Sequence, residues 1–235
     1  MATYNGERFI SDQIKSILHQ MNDCDELVVV DDFSTDSSNL VISSFLDKRI
    51  KHYKNKKNMG HIKSFEQAIS LASGDIIILS DQDDLWTDCK IRNIMTIFNS
   101  NKSIVLVHHE LSTITERGEI LSKTHRHLPS GVQSFFSFSL RNLFKPEVFG
   151  CAIAFRRELV DRILPFPSAV YAHDHWISIV ASVFGKIFYL NKSLTLYRQH
   201  SNNVTPKKGL SFLKKTIVRL KYLYLYGLAF YREYS

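Results

Sequence analysis

The chain has few of the residues that mark fibrous, low-complexity or disulfide-stabilised proteins. Nine glycines and five prolines in 235 residues are too few for a collagen-like or linker-rich protein. Three cysteines without a CxxC spacing or a histidine pattern argue against disulfides and zinc, so we expect buried thiols in a reducing compartment, the cytosol. With 44% hydrophobic and 23% charged residues the chain is not disordered, and its length favours one domain with an appendage.

Long apolar segments are also lacking. The longest nearly uncharged apolar run, 222–231, is about half of the roughly 20 residues that a membrane-spanning helix needs. No charged segment followed by an apolar one opens the chain, as a signal peptide would. We therefore expect neither a membrane span nor secretion by that route.

Positive charge is concentrated at the C-terminal end. The net charge is +7, and the segment 207–235 carries seven Lys and Arg against one Glu, a net +6 that leaves +1 for the preceding residues. A nucleic-acid face would be expected to spread over the folded domain, so we expect no nucleic-acid partner. Basic residues mixed with leucine and tyrosine predict an amphipathic helix on an anionic membrane surface, or a helix that packs on the domain or on a second subunit.

The apolar pattern of the first half alternates between helical spacing and short continuous runs, which is typical of a parallel α/β sheet flanked by helices. The predicted helices are 7–20, 36–46, 62–72 and 91–98, and the predicted strands are 27–30, 50–53, 76–79 and 104–107. The second half predicts a hairpin at 111–121, strands at 150–155, 187–190 and 194–198, and a helix at 173–184. The segment 133–148 is poor in signals, and we expect a loop over a site there.

Acidic residues follow two of the predicted strands. Asp31 and Asp32 end one, and Asp81, Asp83 and Asp84 follow another. Because ligands of open α/β sheets bind beyond the carboxyl ends of the strands, we expect these carboxylates at one edge. Such a cluster is repulsive unless a cation neutralises it, and oxygen ligands suit Mg²⁺ or Mn²⁺ bound to a substrate diphosphate. The alternative is that these acids are only loop and cap residues.

Six short motifs resemble, in order and spacing, those of the family-two glycosyltransferases with the GT-A fold. They are Ala2-Thr3-Tyr4-Asn5-Gly6, Val30-Asp31-Asp32-Phe33-Ser34-Thr35-Asp36, Asn58-Met59-Gly60, Ser80-Asp81-Gln82-Asp83-Asp84-Leu85-Trp86, His173-Asp174-His175-Trp176 and Tyr197-Arg198-Gln199-His200. The resemblance covers roughly residues 1–204. The fourth motif has the sequence DQDD at residues 81–84, which is similar to that of bacterial rhamnosyl and related surface-polysaccharide transferases.

The resemblance implies a Rossmann-like, mostly parallel GT-A sheet in residues 1–206, followed by a basic amphipathic tail, 207–235. Residues 1–109 would form the nucleotide-binding half and residues 110–206 the acceptor-binding half. Family members have a central strand just before the Ala-Thr-Tyr-Asn-Gly segment. Since that segment directly follows Met1, we expect this first strand to be almost missing.

The resemblance also implies inverting transfer of a hexose or deoxyhexose, rhamnose being one candidate, from a UDP- or dTDP-sugar to a saccharide or lipid-linked saccharide. Asp174 would be the general base, and Asp83 with His200 would hold Mg²⁺ or Mn²⁺. The residues implied in nucleotide-sugar binding are Thr3, Tyr4, Asn5, Asp32, Asn58, Asp81 and Arg198.

Three alternatives to these assignments remain at this point. Asp174 could merely cap its helix, and His173 and His175 are expected to support the site or lie at the surface. A magnesium-dependent sugar nucleotidyltransferase would show similar acids, although no glycine-rich phosphate loop followed by Lys is present. A non-catalytic membrane-surface module would need only the tail. For the transferase, we expect a cytoplasmic enzyme, peripheral on the inner face of the plasma membrane.

Overall fold

The computed structural model describes residues 1–123, 129–144, 148–201, 203 and 212–234, with the side chains of 123, 212–215 and 234 left aside. Its helices are α1 (Ile10–Leu18), α2 (Ser38–Ser43), α3 (His61–Leu71), α4 (Lys90–Ser100), α5 (Phe135–Phe144), α6 (Val160–Ile163), α7 (His173–Phe184) and α8 (Phe212–Tyr234). Its strands are β1 (Ala2–Thr3), β2 (Leu27–Asp31), β3 (Ile50–Lys54), β4 (Ile76–Ile78), β5 (Leu85–Trp86), β6 (Ile104–Ile114), β7 (Ile120–Lys123), β8 (Gly131–Gln133), β9 (Ile153–Arg156) and β10 (Lys186–Arg198). The predicted boundary between residues 206 and 207 lies outside the described residues.

A three-stranded parallel sheet with the order β1-β2-β3 forms the first part of the fold. Every residue of β2 is buried, as expected for a central parallel strand covered on both faces. The expected near-absence of a first strand corresponds to the two-residue β1, in which Ala2 lies opposite Val30 and Thr3 opposite Asp31. Its ladder continues at Met1, whose amino group donates a hydrogen bond to the Val28 carbonyl at 2.8 Å.

A seven-stranded mixed sheet forms the second part. Its order is β4-β9-β6-β10-β5, with β7 added to β6 and β8 to β10. Only the β6–β10 ladder is parallel among the described pairs of this sheet. Parallel pairing therefore dominates only the three-stranded sheet, and the whole architecture is a mixed α/β fold.

Three details differ from the sequence-based expectations. The segment 133–148 contains the strand end Gln133 and helix α5 in place of a loop. The two strands predicted at 187–190 and 194–198 are one strand, β10, with register shifts around Ser193. Cys151 is buried, whereas Cys24 is exposed and Cys89 is partly exposed.

Helix α8 packs on the domain. Tyr222, Leu225 and Ala229 recur at helical spacing and are buried in the same core cluster as Trp176 of α7. Near its end, the guanidinium of Arg232 donates hydrogen bonds to the carbonyls of residues 162, 163 and 165. The sequence left this packing open as an alternative to the membrane surface. Within the described residues, no helix has the length and hydropathy that crossing a bilayer requires.

A pair of leucines tests how much α8 contributes to the core. Leu225 is 1% exposed and Leu223, on the same helix, is 55% exposed. Leu225→Ala should lower the free energy of unfolding by about 2–5 kcal/mol because it leaves a cavity in the core. The matched control, Leu223→Ala, should change it by less than about 0.5 kcal/mol. Urea denaturation measures both, and equal effects of the two substitutions would mean that α8 does not pack as described.

Candidate active site

The candidate site lies at the carboxyl ends of β1, β2 and β4, where the sequence predicts the acids to meet. Asp31 is the last residue of β2 and Asp32 follows it, and the loop 81–84 follows Ser80 after β4. Among the described strands, no backbone ladder joins β1 to β4. Side chains must therefore hold the two parts of the site together.

Gln82 joins the loop after β4 to the loop after β1. Its Oε1 accepts hydrogen bonds from the Thr3 hydroxyl at 2.6 Å and from the Tyr4 backbone N–H at 2.8 Å. Its Nε2 donates to the Tyr4 carbonyl at 3.1 Å. Gly6 makes room for this contact, since a Cβ there would lie 2.5 Å from Gln82 Oε1.

Gln13 of α1 makes hydrogen bonds to the loop after β4. Its Nε2 donates to Ser80 Oγ at 2.6 Å and to the Asp81 carbonyl at 3.2 Å. Gln13 is fully buried, although its position on α1 belongs to the apolar face with Ile10 and Ile14. A buried amide is stable there because its donors are used.

Tyr4 and Asn5 lie in the loop after β1. Tyr4 is 46% exposed, so it is not a core aromatic, and its ring is accessible for the nucleotide binding that the resemblance implies. Asn5 has φ +49°, a left-handed conformation that Asn tolerates better than most residues. Its N–H donates to Ser34 Oγ and its Oδ1 accepts from the Thr35 N–H, both at 2.9 Å.

Asp32 fixes the loop that contains Asn58. Its Oδ1 accepts from Asn55 Nδ2 at 2.8 Å and from the Met59 N–H at 2.7 Å, and its Oδ2 accepts from the Gly60 N–H at 2.7 Å. Burial opposes ionisation, but these hydrogen bonds together keep the pKa of Asp32 below its usual value. Asn58 is exposed beside this network. The predicted contacts of Asp32 and Asn58 with the nucleotide stay predictions.

Asp83 faces the closing basic motif. His200 Nε2 lies 2.8 Å from Asp83 Oδ2, so the two predicted metal ligands are adjacent. Arg198 Nε donates to the Asp83 carbonyl at 2.8 Å and Nη1 to the Glu116 carbonyl at 2.6 Å, while the guanidinium lies 4.9 Å from the centre of the Phe9 ring. Through these contacts Arg198 connects the loop 81–84 to residue 116. Its predicted contact with the diphosphate stays a prediction.

Asp84 connects the same two segments and has no role in the sequence-based assignment. Its Oδ1 accepts the Arg198 N–H at 3.0 Å. Ligand-type atoms of Asp81, Asp84 and Cys151 lie within 4.8 Å of one another. Burial, with the charges of Asp81 and Asp83, raises the pKa of Asp84 well above its usual value, and burial likewise raises that of the Cys151 thiol. Behind them, buried Lys90 donates to the Cys151 carbonyl at 2.7 Å.

Negative charge accumulates around Asp81. Burial, followed by the charges of Asp83 and Asp174, raises the pKa of Asp81 to about 7. The start of α7 also lies near the loop 81–84. A Cβ at Gly150 would lie 3.8 Å from the Asp174 Cβ, and the thiol of the next residue, Cys151, lies within 4.8 Å of an Asp81 carboxyl oxygen. The structure thus brings together the acids of the nucleotide half and the acid of the acceptor half.

Asp174 lies in the first turn of α7 beside a network of aromatic side chains. Its Oδ1 accepts the His175 N–H at 2.8 Å. The Tyr222 hydroxyl of α8 contacts His175 Nδ1, and the Tyr171 hydroxyl donates to that of Tyr222 at 2.5 Å. Burial lowers the pKa of His175 and so favours the neutral ring, whose Nδ1 can accept a hydrogen bond from the Tyr222 hydroxyl. His175 is therefore a support of the site.

His173 is buried in the domain. Its ring stacks on Phe65 of α3 with the centroids 4.0 Å apart. Burial lowers the pKa of His173 to about 4, so the ring is neutral. A Cβ at Gly150 would lie 2.7 Å from His173 Nε2, which explains the glycine there. This contact places the start of α7 against the short 3-10 helix Gly150–Ala152 that precedes β9.

Sequence reasoning missed Gln13 and Gln82 as parts of the site, and it gave Asp84 no role beyond membership of the acidic cluster. Gln82 and Asp84 lie inside the motif 80–86, for which the sequence predicts metal binding by the acids. Gln13 is a polar residue on the apolar face of α1. A polar residue on an apolar face is the signal that could have found Gln13. The partners of Gln82 and Asp84 lie more than 75 residues away in the chain, so only the fold reveals them.

Comparison with known proteins agrees with this geometry. The model of the family described as glycosyl transferase family 2 matches residues 1–164. The chain belongs to this family. The conclusion favours a transferase over the nucleotidyltransferase and over a non-catalytic module, and it confirms the resemblance carried by the six motifs.

Relatives of this glycosyltransferase come from several bacteria. The uncharacterized glycosyltransferase alr2836 of Nostoc sp. is 27% identical over 86% of this chain and 64% of its own length. The dTDP-rhamnosyl transferase RfbG of Shigella flexneri is 27% identical over 86% of this chain and 72% of its own length. WfgD of Escherichia coli, a UDP-Glc:alpha-D-GlcNAc-diphosphoundecaprenol beta-1,3-glucosyltransferase, is 34% identical over 47% of this chain and 44% of its own length.

Two further relatives are named for the biosynthesis of teichuronic and colanic acid, so relatives of this family member act in bacterial polysaccharide synthesis. The chain spans less than two thirds of the length of the Nostoc and WfgD relatives.

A solved structure confirms the fold. The structure of S. aureus TarS 1-349 in complex with UDP-GlcNAc superposes with a TM-score of 0.75 at 18% identity. The superposition covers 94% of this chain and 64% of the TarS chain. The chain therefore has the GT-A type of α/β fold that the motifs imply.

The contacts of Gln82 can be tested through stability. Gln82→Ala leaves the buried Thr3 hydroxyl without its acceptor and should lower the free energy of unfolding by about 1–3 kcal/mol. Gly6→Ala should act in the same direction because its methyl group displaces the amide. Gln67→Ala on α3, away from this contact, is the control and should change stability by less than about 0.5 kcal/mol. Urea denaturation is the measurement, and no effect of Gln82→Ala would contradict the contact.

Proposed function

We propose that this glycosyltransferase transfers a hexose or deoxyhexose from a UDP- or dTDP-sugar to a hydroxyl group of a saccharide or lipid-linked saccharide, with inversion at the anomeric carbon. The observation that carries the proposal is the placement of acids from both halves of the fold near one another. His200 lies 2.8 Å from Asp83, the Cys151 thiol lies within 4.8 Å of Asp81, and Asp174 packs at the neighbouring Gly150. Acids from both halves of the fold then act on the two reactants of one transfer.

The donor side of the cleft suits a pyrimidine nucleotide. Tyr4 offers an exposed ring for stacking on the base, and Thr3 and Asn5 hold its loop in place. Asp32, whose carboxylate already accepts three hydrogen bonds, has lone pairs left for one donor of the nucleotide. The bound UDP-GlcNAc of TarS and the dTDP-rhamnosyl name of RfbG support this class of donor, with rhamnose as one candidate sugar.

The residues present fit a divalent cation. Burial, and after it the charges of Asp83 and Asp174, raises the pKa of Asp81, and a bound cation would offset both effects. Asp83 and His200 would hold Mg²⁺ or Mn²⁺, with Asp81 assisting. The cluster of Asp84 and Cys151 suits such a hard cation less well because a thiol is a soft ligand and burial raises the pKa of both groups, which opposes their ionisation. A bound cation supplies Lewis-acid stabilisation of the departing diphosphate.

Asp174 acts on the acceptor in this proposal. Its carboxylate accepts the proton of the acceptor hydroxyl as that oxygen forms a bond to the anomeric carbon. The bond between this carbon and the diphosphate oxygen breaks, and its electron pair leaves with the nucleoside diphosphate. The hydrogen bond from the His175 N–H holds one carboxylate oxygen, so the other oxygen is the base.

The acceptor and the cellular location belong to the same proposal. The name of WfgD includes a sugar on diphosphoundecaprenol, which supports a lipid-linked acceptor here. Such an acceptor lies at a membrane surface, and we place this transferase on the cytoplasmic face of the plasma membrane. The saccharide end of the acceptor would then reach the cleft from that face.

Asp83→Ala should abolish the contribution of Mn²⁺ to the binding of UDP and dTDP while the melting temperature stays unchanged. The reason is that the Asp83 side chain bonds only to His200 among the described contacts, whereas its backbone carbonyl, which holds Arg198, remains. Calorimetric titration with and without Mn²⁺ measures the effect. Asp88→Ala, a substitution of an exposed acid in the same segment, is the control. A full Mn²⁺-dependent affinity in Asp83→Ala would sink the metal assignment.

Asp174→Asn should keep donor affinity and lower kcat at least about a hundredfold, because the base acts chiefly in the transition state. Asparagine can still accept the His175 N–H, so the start of α7 is preserved. Asp161→Asn, at an exposed position of α6, is the matched control. Steady-state transfer assays decide the point: kcat within about tenfold of the wild type, or about 1.4 kcal/mol, would reduce Asp174 to a helix cap.

A further inference from the structure

Exposed hydrophobic side chains are concentrated on two helices. Ten of the 21 large hydrophobic side chains that are exposed in the described residues lie on α5 and α8, which have 10 and 23 residues. The ten are Phe135, Phe136, Leu140, Phe144, Ile217, Leu220, Leu223, Tyr224, Phe230 and Tyr231. Single exposed hydrophobic residues are ordinary, but a concentration of this kind marks an interaction surface.

The two helices are antiparallel neighbours. At one end, the ring of Phe135 lies 6.3 Å from that of Tyr226 and 5.9 Å from that of Phe230. At the other end, the guanidinium of Arg219 lies 5.1 Å from the centre of the Phe144 ring. The exposed residues of α5 and α8 therefore belong to one surface, which joins the acceptor half of the domain to the C-terminal helix.

Each helix has an exposed apolar stripe in addition to its buried one. On α5 the stripe consists of Phe136, Leu140 and Phe144, which are spaced four residues apart. On α8, the exposed Leu220 lies opposite the buried side that Tyr222 and Leu225 form. The exposed Leu223 lies at the border of that side. We call the surface formed by Phe136, Leu140, Phe144, Leu220 and Leu223 the α5–α8 face.

Positive charge accompanies the α5–α8 face. Arg141 directly follows Leu140, and Lys221 directly follows Leu220. Arg219 contacts the Phe144 ring and Lys221 is exposed, whereas the guanidinium of Arg232 is bonded to carbonyls of the domain and does not belong to this surface. The cations Arg141, Arg219 and Lys221 therefore lie among exposed aromatic and aliphatic side chains, which is the combination that binds anionic lipid.

We propose that the α5–α8 face docks this transferase on an anionic membrane surface, with α5 contributing as much as the C-terminal helix. The proposal deepens the function proposed above, on which it rests for the lipid-linked acceptor. A second copy of the chain is a poorer occupant, because two faces of the same positive charge repel each other. An anionic lipid surface satisfies both the charge and the apolar side chains.

Flotation with vesicles of phosphatidylcholine, with and without phosphatidylglycerol, tests the face. The wild-type chain should float with the anionic vesicles at low salt and much less with neutral ones or at high salt. The double substitution F136E/L140E on α5 should lower the bound fraction at least about tenfold, and L220E/L223E on α8 should do the same. The control L46E replaces a leucine that is 100% exposed elsewhere and should leave flotation unchanged.

The outcomes separate this proposal from that of the transferase. Unchanged flotation of F136E/L140E, or no flotation of the wild type, overturns the docking face, whereas donor affinity measured on the same proteins tests the transferase alone. A dimer of the wild type without lipid that F136E/L140E dissociates would assign the face to a second copy and likewise overturn the proposal. Melting temperatures confirm folding, and F136Q/L140Q replaces the glutamate variant if that one unfolds.

Discussion

The loop 81–84 is the joint on which the site depends, because the two sheets share no ladder where the site forms. Each residue of the loop makes a hydrogen bond to another part of the site. The Asp81 carbonyl accepts from Gln13, and the Gln82 side chain holds the loop after β1. The Asp83 carbonyl accepts a hydrogen bond from the Arg198 side chain, and the Asp84 carboxyl accepts one from the Arg198 backbone N–H. One four-residue segment therefore positions the nucleotide half, the acceptor half and the closing basic motif relative to one another.

The same joint concentrates negative charge. On the inner side, the buried Lys90 donates to the Cys151 carbonyl, and burial raises the pKa of Asp84 well above its usual value. On the outer side, burial together with the charges of Asp83 and Asp174 raises the pKa of Asp81 to about 7. Such a cluster of acids lowers the stability of the folded protein, and clusters of this kind are typical of functional sites. The arrangement is stable only where a proton, His200 or a bound cation offsets the charge.

The ends of several elements were predictable from the sequence, but the tertiary contacts were not. Helix α7 was predicted at its observed bounds because Trp176 and Ile179 show helical spacing and Gly185 ends it. Helix α5 was missed because apolar residues occur on its exposed side as well as its buried side, which hides the period. The single strand β10 was divided because polar residues 191–193 fall at its irregular register. The roles of Gln82 and Asp84 depend on partners distant in sequence.

Helix α8 connects the two proposed activities of the molecule. Its inner side places Tyr222 against His175, directly after Asp174, and the charge of Asp174 contributes to the elevated pKa of Tyr222. Its outer side belongs to the α5–α8 face. An α-helix with its side chains is about 10–12 Å across, so a lipid surface on that face would lie roughly one helix diameter from the base. In the proposed function, this position of α8 would bring the sugar of a lipid-linked acceptor close to Asp174.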